Sequence, residues 1–169
     1  MILLPLLAAA STLIPSHPDL GKAAGRCEPG MVGPRFLVRV EGLKDRRGRL
    51  KLELYPANDQ DFLAPDNVLI TAGRPFARVE VEPIADTAIE LCIRAPRPGT
   101  YALALLHDRD ADRRFTLTQD GIGFAGNPRL GLSKPKAAAA AAQVGGAAAS
   151  VRIVLNYRQS LLGFGPLRR

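Results

Sequence analysis

The chain has 169 residues, of which 47% are hydrophobic and 23% charged, and these proportions indicate one globular domain rather than a disordered protein. Its formal net charge is +7, but aromatic residues make up only 5% of the chain. The basic residues are scattered along the sequence instead of clustering. Because nucleic-acid surfaces combine clustered cations with stacking aromatics, the composition argues against a nucleic-acid partner. It leaves open a weak contact with an anionic envelope surface.

The N-terminal segment predicts export from the cytoplasm. Residues 1–10 are apolar and uncharged, and Ala8 and Ala10 form an A-x-A cleavage pattern. No Lys or Arg precedes the apolar run, which departs from the usual signal; a mis-assigned start codon would explain this. The run is about half the length of a bilayer-spanning helix, and no later segment reaches that length. We therefore expect a periplasmic or secreted protein with no transmembrane segment, and an extended N-terminal arm over residues 11–34.

The two cysteines, Cys27 and Cys92, are predicted to form a disulfide. An even cysteine count in an exported protein favours pairing, whereas two free thiols are expected in a cytosolic one. Alternation over residues 88–94 turns the isoleucine and leucine side chains toward the core, so Cys92 faces the other side of its strand. The arm that carries Cys27 can cross that side. Neither cysteine has C-x-x-C or zinc-ligand spacing, so no metal or redox role is expected for them.

Alternating apolar residues predict at least six β-strands. In each segment every second side chain is apolar, which is the period of a half-buried strand. The segments are residues 36–41, 50–55, 76–82, 89–93, 100–106 and 151–155. Turns rich in Gly and Pro separate several of them. Residues 136–143 are rich in alanine but too short for an isolated helix, and we interpret them as a short helix or an ordered loop.

The strand pattern predicts an all-β fold. The segment Thr100–Leu106 is apolar on both faces, as expected for a central strand that is packed on each side. No long amphipathic helix interrupts the strands, so we predict an antiparallel β-sandwich of about seven strands, Ig-like or transthyretin-like, over residues 35–158. A closed barrel is the alternative. Residues 159–169 are predicted to be a flexible tail.

The acidic turn after this central strand is the first candidate site. Asp108, Asp110 and Asp112 have the first three ligand spacings of a calcium loop, which makes them a possible calcium site. The sixth position of such a loop should be Gly and is Arg113, and the twelfth should be Glu and is Gln119. The alternative is a solvated turn whose carboxylates are neutralised by arginines, with no cofactor.

His107 and the glycine-rich loop supply the other candidate residues. His107 precedes Asp108, but neighbours on a strand point to opposite faces, so the two need not touch. No serine lies in a nucleophile-elbow context. Phe124 is expected to fill the end of the sandwich, and Asn127 begins a turn. Together the loops form a candidate ligand-binding rim, with contacts from His107, Asp108, Asp110, Asp112, Phe124 and Asn127.

Several motifs along the chain resemble one bacterial family. They are the Phe36–Leu43 and Gly48–Tyr55 segments, the Pro98–Ala102 turn and strand, the His107-Asp108 pair, and the Gly121-x-Gly-Phe loop that ends at Asn127. Together they resemble domain of unknown function 2141 over residues 35 to about 157. The resemblance implies a secreted or periplasmic β-sandwich related to transthyretin-like (prealbumin-like) and carboxypeptidase regulatory domains, and it implies no activity. The turn at residues 109–114 is rich in arginine where the family usually has Asn and Gly.

Three functional hypotheses follow. The first is a non-enzymatic, exported module that binds an extracytoplasmic ligand or partner through the loops between His107 and Asn127. The second is a hydrolase or metal-assisted enzyme in which His107 acts with Asp108, Asp110 and Asp112. The third is a structural envelope protein whose positive charge rests against an anionic polymer. We favour the first.

Overall fold

The computed structural model describes residues 13–84, 88–131, 133–161 and 163–167; the signal-like segment, residues 1–10, lies outside this range. Ten β-strands form two sheets, which confirms the predicted all-β sandwich. The strands are β1 Arg35–Glu41, β2 Arg49–Pro56, β3 Ala77–Val81, β4 Ile89–Arg94, β5 Gly99–Asp108, β6 Gly121–Phe124, β7 Ala141–Val144, β8 Ala148–Val154, β9 Asn156–Arg158 and β10 Phe164–Pro166. The helical segments described are α1 Lys22–Gly25, α2 Asp66–Thr71 and a 3₁₀ turn at Ala137–Ala140.

The smaller sheet has the strand order β4-β1-β8. In its centre Val38 lies opposite Leu91 of the antiparallel neighbour and opposite Val151 of the other neighbour, which runs parallel. This parallel pair is the one departure from the predicted antiparallel order among the described pairs. It arises because β1 and β8 are joined by a crossover through most of the chain rather than by a hairpin.

The larger sheet has the order β10-β9-β6-β5-β2-β3, with β7 paired to β5 as well. One edge of β5 pairs along its length with β2; the other edge is shared between β7, at Gly99–Ala102, and β6, at Ala104–His107. Asp108, the last residue of the central strand, still pairs with Arg49 of β2 and lies at the start of the loop before β6.

Both faces of the larger sheet are buried. The side chains between the two sheets include Phe36, Leu52, Leu105 and Ile153, all with no exposed surface. On the opposite face a second apolar cluster forms around Phe62, beneath α2 and the 3₁₀ turn. This confirms the prediction that the central strand is packed on each side.

The N-terminal arm lies against the second face and is covalently tied to the sandwich. Cys27 and Cys92 form the predicted disulfide, with their Cα atoms 6.0 Å apart. Ser16 donates a hydrogen bond to Asp66 of α2 at 2.6 Å, and the backbone N–H of Arg78 donates to the carbonyl of Gly21 at 3.0 Å. The arm thus contributes polar contacts as well as the covalent link.

The strands that sequence alternation does not reveal are short. Strands β6 and β7 have four residues each, and β9 and β10 have three. Strand β7 directly follows the 3₁₀ turn in the alanine-rich segment. Strand β10 lies inside the segment predicted to be a tail, where it pairs with β9. Within the described part of the chain, no helix has the length and apolar character required to cross a membrane.

Candidate functional site

The end of β5 separates its last two residues onto opposite faces of the sheet. His107 lies in the core side of the strand beside Tyr157, whereas Asp108 lies on the face that carries Leu106. Both side chains are fully buried. The alternation of a β-strand explains this division, and it means that the adjacent histidine and aspartate do not act as a pair.

Both ring nitrogens of His107 have partners inside the protein. Its Nε2 lies 2.9 Å from the carbonyl oxygen of Arg47, which can only accept, so Nε2 carries the proton. Its Nδ1 then accepts from the hydroxyl of Tyr157 at 2.7 Å. The same hydroxyl oxygen accepts the backbone N–H of Lys44 at 3.0 Å. These three bonds fix a neutral imidazole between β5, β9 and the loop that joins β1 to β2.

The protonation states of this buried chain follow from its burial. Loss of solvation lowers the pKa of His107 below its ordinary value and raises the pKa of Tyr157 to about 12. Neither group changes charge near neutral pH. The arrangement therefore holds the loop between β1 and β2 in place and offers no free ring nitrogen to a substrate.

A second polar cluster forms on the other face, where three carboxylates meet. One oxygen from each of Asp108, Asp110 and Asp120 lies within 4.8 Å of the other two. Asp120 accepts the backbone N–H groups of Arg109 at 2.9 Å and Thr116 at 2.7 Å. These bonds close the loop between β5 and β6 and bring its two ends together, so that Asp120 lies beside Asp108.

Asp108 and Asp120 are the two buried members of this carboxylate cluster, and they differ in how their oxygens are bonded. Oδ2 of Asp108 accepts the backbone N–H of Arg113 at 2.9 Å, whereas Oδ1 of Asp108 is buried and has no hydrogen-bond partner in the described part of the chain. Burial raises the pKa of Asp108, and the negative charge of Asp120 adds to that effect. Asp110 is exposed, so the cluster opens to solvent on its side.

The basic side chains near the cluster pair mainly with other acids. Arg109 donates to Asp45 at 3.0 Å through Nε, and Arg113 Nε lies 3.9 Å from Glu80. Among the described residues, Arg49 is the basic side chain that lies nearest to Asp108, with Nε 3.8 Å from Oδ2. That separation exceeds hydrogen-bond distance, and Arg49 Nε is itself buried with no hydrogen-bond acceptor among the described residues.

Asp112 stands apart from the three clustered carboxylates. Its Oδ1 accepts the backbone N–H of Arg114 at 2.7 Å, and it is exposed. The structure thus brings together two of the three acids with calcium-loop spacing and adds Asp120, thirteenth in that register. The sequence pattern places Gln119 at the twelfth position of a calcium loop, so Asp120 lies one residue beyond the expected ligand.

The glycine-rich loop residues have clear structural contacts. The ring of Phe124 packs edge-on against Phe62 with centroids 5.7 Å apart. The side chain of Asn127 donates to the carbonyl of Arg152 and accepts the N–H of Val154, at 2.9 and 2.7 Å. Asn127 therefore fastens its turn to β8.

The loop between β5 and β6, which carries the carboxylate cluster, forms one wall of an apolar cleft of about 190 Å³ together with β6. Residues that line this cleft include Leu63, Phe115, Leu117, Ile122, Phe124 and Leu130. Phe115 and Leu117 keep 42% and 40% of their surfaces exposed. Lys134 lies at the rim, where its ammonium donates to two backbone carbonyls. Sequence reasoning did not identify Phe115 or Leu117, whose only signal is that two large apolar residues interrupt a polar loop.

Comparison with known proteins identifies a family but no activity. Neither the curated proteins nor the solved structures contain a significant match to the chain. A family model described as "Uncharacterized protein conserved in bacteria" matches residues 38–152, which include β2 to β7, the carboxylate cluster and most residues of the apolar cleft. Since that match covers more than half of the sequence and agrees with the motifs between Phe36 and Asn127, the chain belongs to the DUF2141 family of uncharacterised bacterial proteins.

Proposed function

We propose that the protein is an exported, periplasmic or secreted, binding module that holds an extracytoplasmic ligand at the loops between His107 and Asn127. The disulfide between Cys27 and Cys92 supports the compartment, because such bonds persist outside the reducing cytosol. The sandwich supplies a rigid frame, and the loops at its end are free to differ in chemistry.

The surroundings of His107 support binding over hydrolysis. A general base needs a ring nitrogen within reach of a substrate proton. His107 is fully buried and both of its nitrogens are engaged within the protein. The hypothesis of an enzyme built on His107 with Asp108, Asp110 and Asp112 therefore has no supporting geometry among the described residues.

The apolar cleft carries this proposal. Exposed apolar side chains beside a concave, apolar wall are typical of a ligand site, and Phe115 and Leu117 stand at the edge of a wall made by Ile122 and Phe124. Within the described part of the chain, the ammonium of Lys134 donates to two neutral backbone carbonyls and to no carboxylate, so its positive charge can pair with an acidic ligand. The cleft accordingly suits a small anionic amphiphile, with its apolar body in the cleft and its acidic group at Lys134.

Fluorescence titration with 1-anilinonaphthalene-8-sulfonate tests this function, because the probe combines aromatic rings with one anionic group. We expect saturable binding to the native protein, and a loss of affinity of about tenfold in Leu117→Ser, from the apolar contact that the substitution removes. Lys134→Gln should weaken binding of the sulfonate but not of an uncharged naphthalene.

Val32→Ser is the matched control, since Val32 is 91% exposed and does not line the cleft. All variants are compared by circular dichroism and by a cooperative thermal melt, because partly unfolded protein also binds the probe. Non-saturable binding, or an equal loss in Val32→Ser, would contradict the cleft. The purely structural alternative predicts that outcome, together with salt-sensitive retention on envelope fractions.

A further inference from the structure

We infer that Asp108, Asp110 and Asp120 form a calcium-binding site that joins the two ends of the loop between β5 and β6. The inference depends on the three oxygens that converge there and on one buried oxygen without a partner. It does not depend on the apolar cleft, so it stands or falls separately from the proposed ligand.

The spacing of the carboxylates suits one Ca²⁺ ion. Calcium binds oxygen ligands at about 2.3–2.6 Å, so two ligands of the same ion are at most about 5 Å apart. The three carboxylate oxygens lie within 4.8 Å of one another, which is within the span that ligands of one calcium ion can have. Since Asp110 is exposed, water can complete the six to eight ligands that calcium takes.

The unpartnered oxygen of Asp108 points to a cation rather than to a solvated turn. Buried polar atoms almost always have a partner, and Oδ1 of Asp108 is buried without one among the described residues. Arg109 and Arg113 direct their guanidinium groups to Asp45 and Glu80. Arg49 is the competing counter-charge, but its Nε stays 3.8 Å from the other oxygen of Asp108.

The backbone has the bend of a calcium loop where the sequence lacks its glycine. Counting Asp108 as the first position, Arg113 is the sixth, where calcium loops have Gly for a sharp turn. Arg113 has a φ of 67° and donates its N–H to Asp108 at 2.9 Å. The turn that orients the first ligand is thus present with an arginine side chain, and the departure in sequence does not remove it.

Calcium bound here would also act on the surface beside it. The loop closed by Asp108 and Asp120 carries Phe115 and Leu117, which line the apolar cleft. Fixing the two ends of the loop restricts that wall of the cleft. The consequence for the amphiphile rests on the proposed function, whereas the binding of the ion does not.

Isothermal titration of chelator-treated full-length protein with CaCl₂ tests the site. We expect one saturable site in the range of extracellular modules, with a dissociation constant on the order of 10⁻⁴–10⁻³ M, and weaker binding of MgCl₂. Asp110→Asn and Asp120→Asn should each weaken calcium binding by about tenfold or more, because each removes a charged ligand. Asp110→Asn is the decisive variant, since Asp110 is exposed and its loss leaves the core intact.

Asp112→Asn is the matched control, because it removes the same charge from the same loop outside the cluster. It should bind calcium within about twofold of the wild type, with the residual effect due to long-range charge. An equal loss in Asp112→Asn, or no binding by the wild type up to about 10 mM calcium, overturns the inference. If the Arg49→Gln variant binds calcium and the wild type does not, the inference is also overturned, because Arg49 then neutralises Asp108 in the native protein. Calcium binding without binding of the naphthalene probe would retain the ion site and reject the cleft.

Discussion

Removal of the Cys27–Cys92 disulfide should destabilise the protein by about 4 kcal/mol. The two cysteines are 65 residues apart in sequence, and closing a loop of that length restricts the unfolded chain by about this free energy at 25 °C. The loss is large against the roughly 5–15 kcal/mol that typically separates folded from unfolded domains. The contacts of the arm with Asp66 and Arg78 do not involve the disulfide, so we expect them to persist after reduction and the principal effect to lie in the unfolded state.

Urea denaturation of the oxidised and the reduced protein measures this loss directly. The double variant Cys27→Ala/Cys92→Ala, denatured without reductant, is the control for effects of the reductant itself. If the covalent link acts by restricting the unfolded chain, the reduced protein and the double variant should fold more slowly, and both should unfold at nearly the rate of the oxidised protein. Their denaturant dependence should also steepen, because an unlinked chain exposes more surface on unfolding.

Two results would refute this reasoning. A loss below about 1 kcal/mol would mean that the unfolded chain is already compact enough for the link to restrict little. If the whole loss of about 4 kcal/mol in the free energy of unfolding arises from faster unfolding, with the folding rate unchanged, the disulfide stabilises the native arm rather than restricting the unfolded chain. In that second case, Ser16→Ala, which removes the hydrogen bond to Asp66, should show the same kinetic signature.

Three further predictions concern single residues. Tyr157→Phe leaves a buried imidazole nitrogen and a backbone N–H unpaired and should lower the free energy of unfolding in urea by about 2–4 kcal/mol; a loss below 0.5, on the order of a surface substitution, would contradict the hydrogen-bonded chain. Gly48→Ala would place Cβ 1.9 Å from a backbone oxygen, whereas Gly30→Ala, at a similar φ, meets nothing within 4 Å. Gly48→Ala should therefore lower the free energy of unfolding by about 2 kcal/mol more than Gly30→Ala does. Equal losses of stability in the two variants would contradict the predicted clash. Burial opposes the ionisation of Asp66, but hydrogen bonds to its carboxylate outweigh burial and lower its pKa. The stability that the ionised carboxylate contributes is therefore present above the ordinary pKa of Asp and is lost as the pH falls through the pKa of Asp66 in the folded protein. The variant Asp66→Asn should flatten the pH dependence of the melting temperature below about pH 4.

The fold was predictable because the alternation of apolar and polar residues within one strand shows which of its side chains are buried. The longer strands each contain enough residues to show the period of two, and the segment from Thr100 to Leu106 correctly indicated packing on both faces. The disulfide was predictable for the same reason, since alternation placed Cys92 on the outer face of β4. The parallel pairing of β1 with β8 carries no such signal, because the partner of a strand depends on the whole crossover and not on its own residues.

The candidate site was only partly predictable, because its members are distant in sequence. Asp108 and Asp110 were evident from their spacing, but Asp120 joins them only when the loop closes through its bonds to Arg109 and Thr116. Tyr157, which accounts for His107, is 50 residues further along the chain. No local pattern announces either partner, since both contacts are made by tertiary structure.

The adjacent residues His107 and Asp108 show how a complete account of hydrogen bonds separates structure from function. Both are polar, fully buried and at the end of one strand, so residue type, burial and position along the strand do not distinguish their roles. Register places the first between the sheets, where Tyr157 and the carbonyl of Arg47 use both of its nitrogens. It places the second on the outer face with one oxygen unused. A buried group whose hydrogen-bonding capacity is filled within the chain stabilises the fold. The buried oxygen of Asp108, which has no hydrogen-bond donor among the described residues and lies beside two other carboxylates, is where we propose that a cation binds. At this end of the sandwich the aspartate, rather than the histidine, is therefore the residue to test for ligand binding.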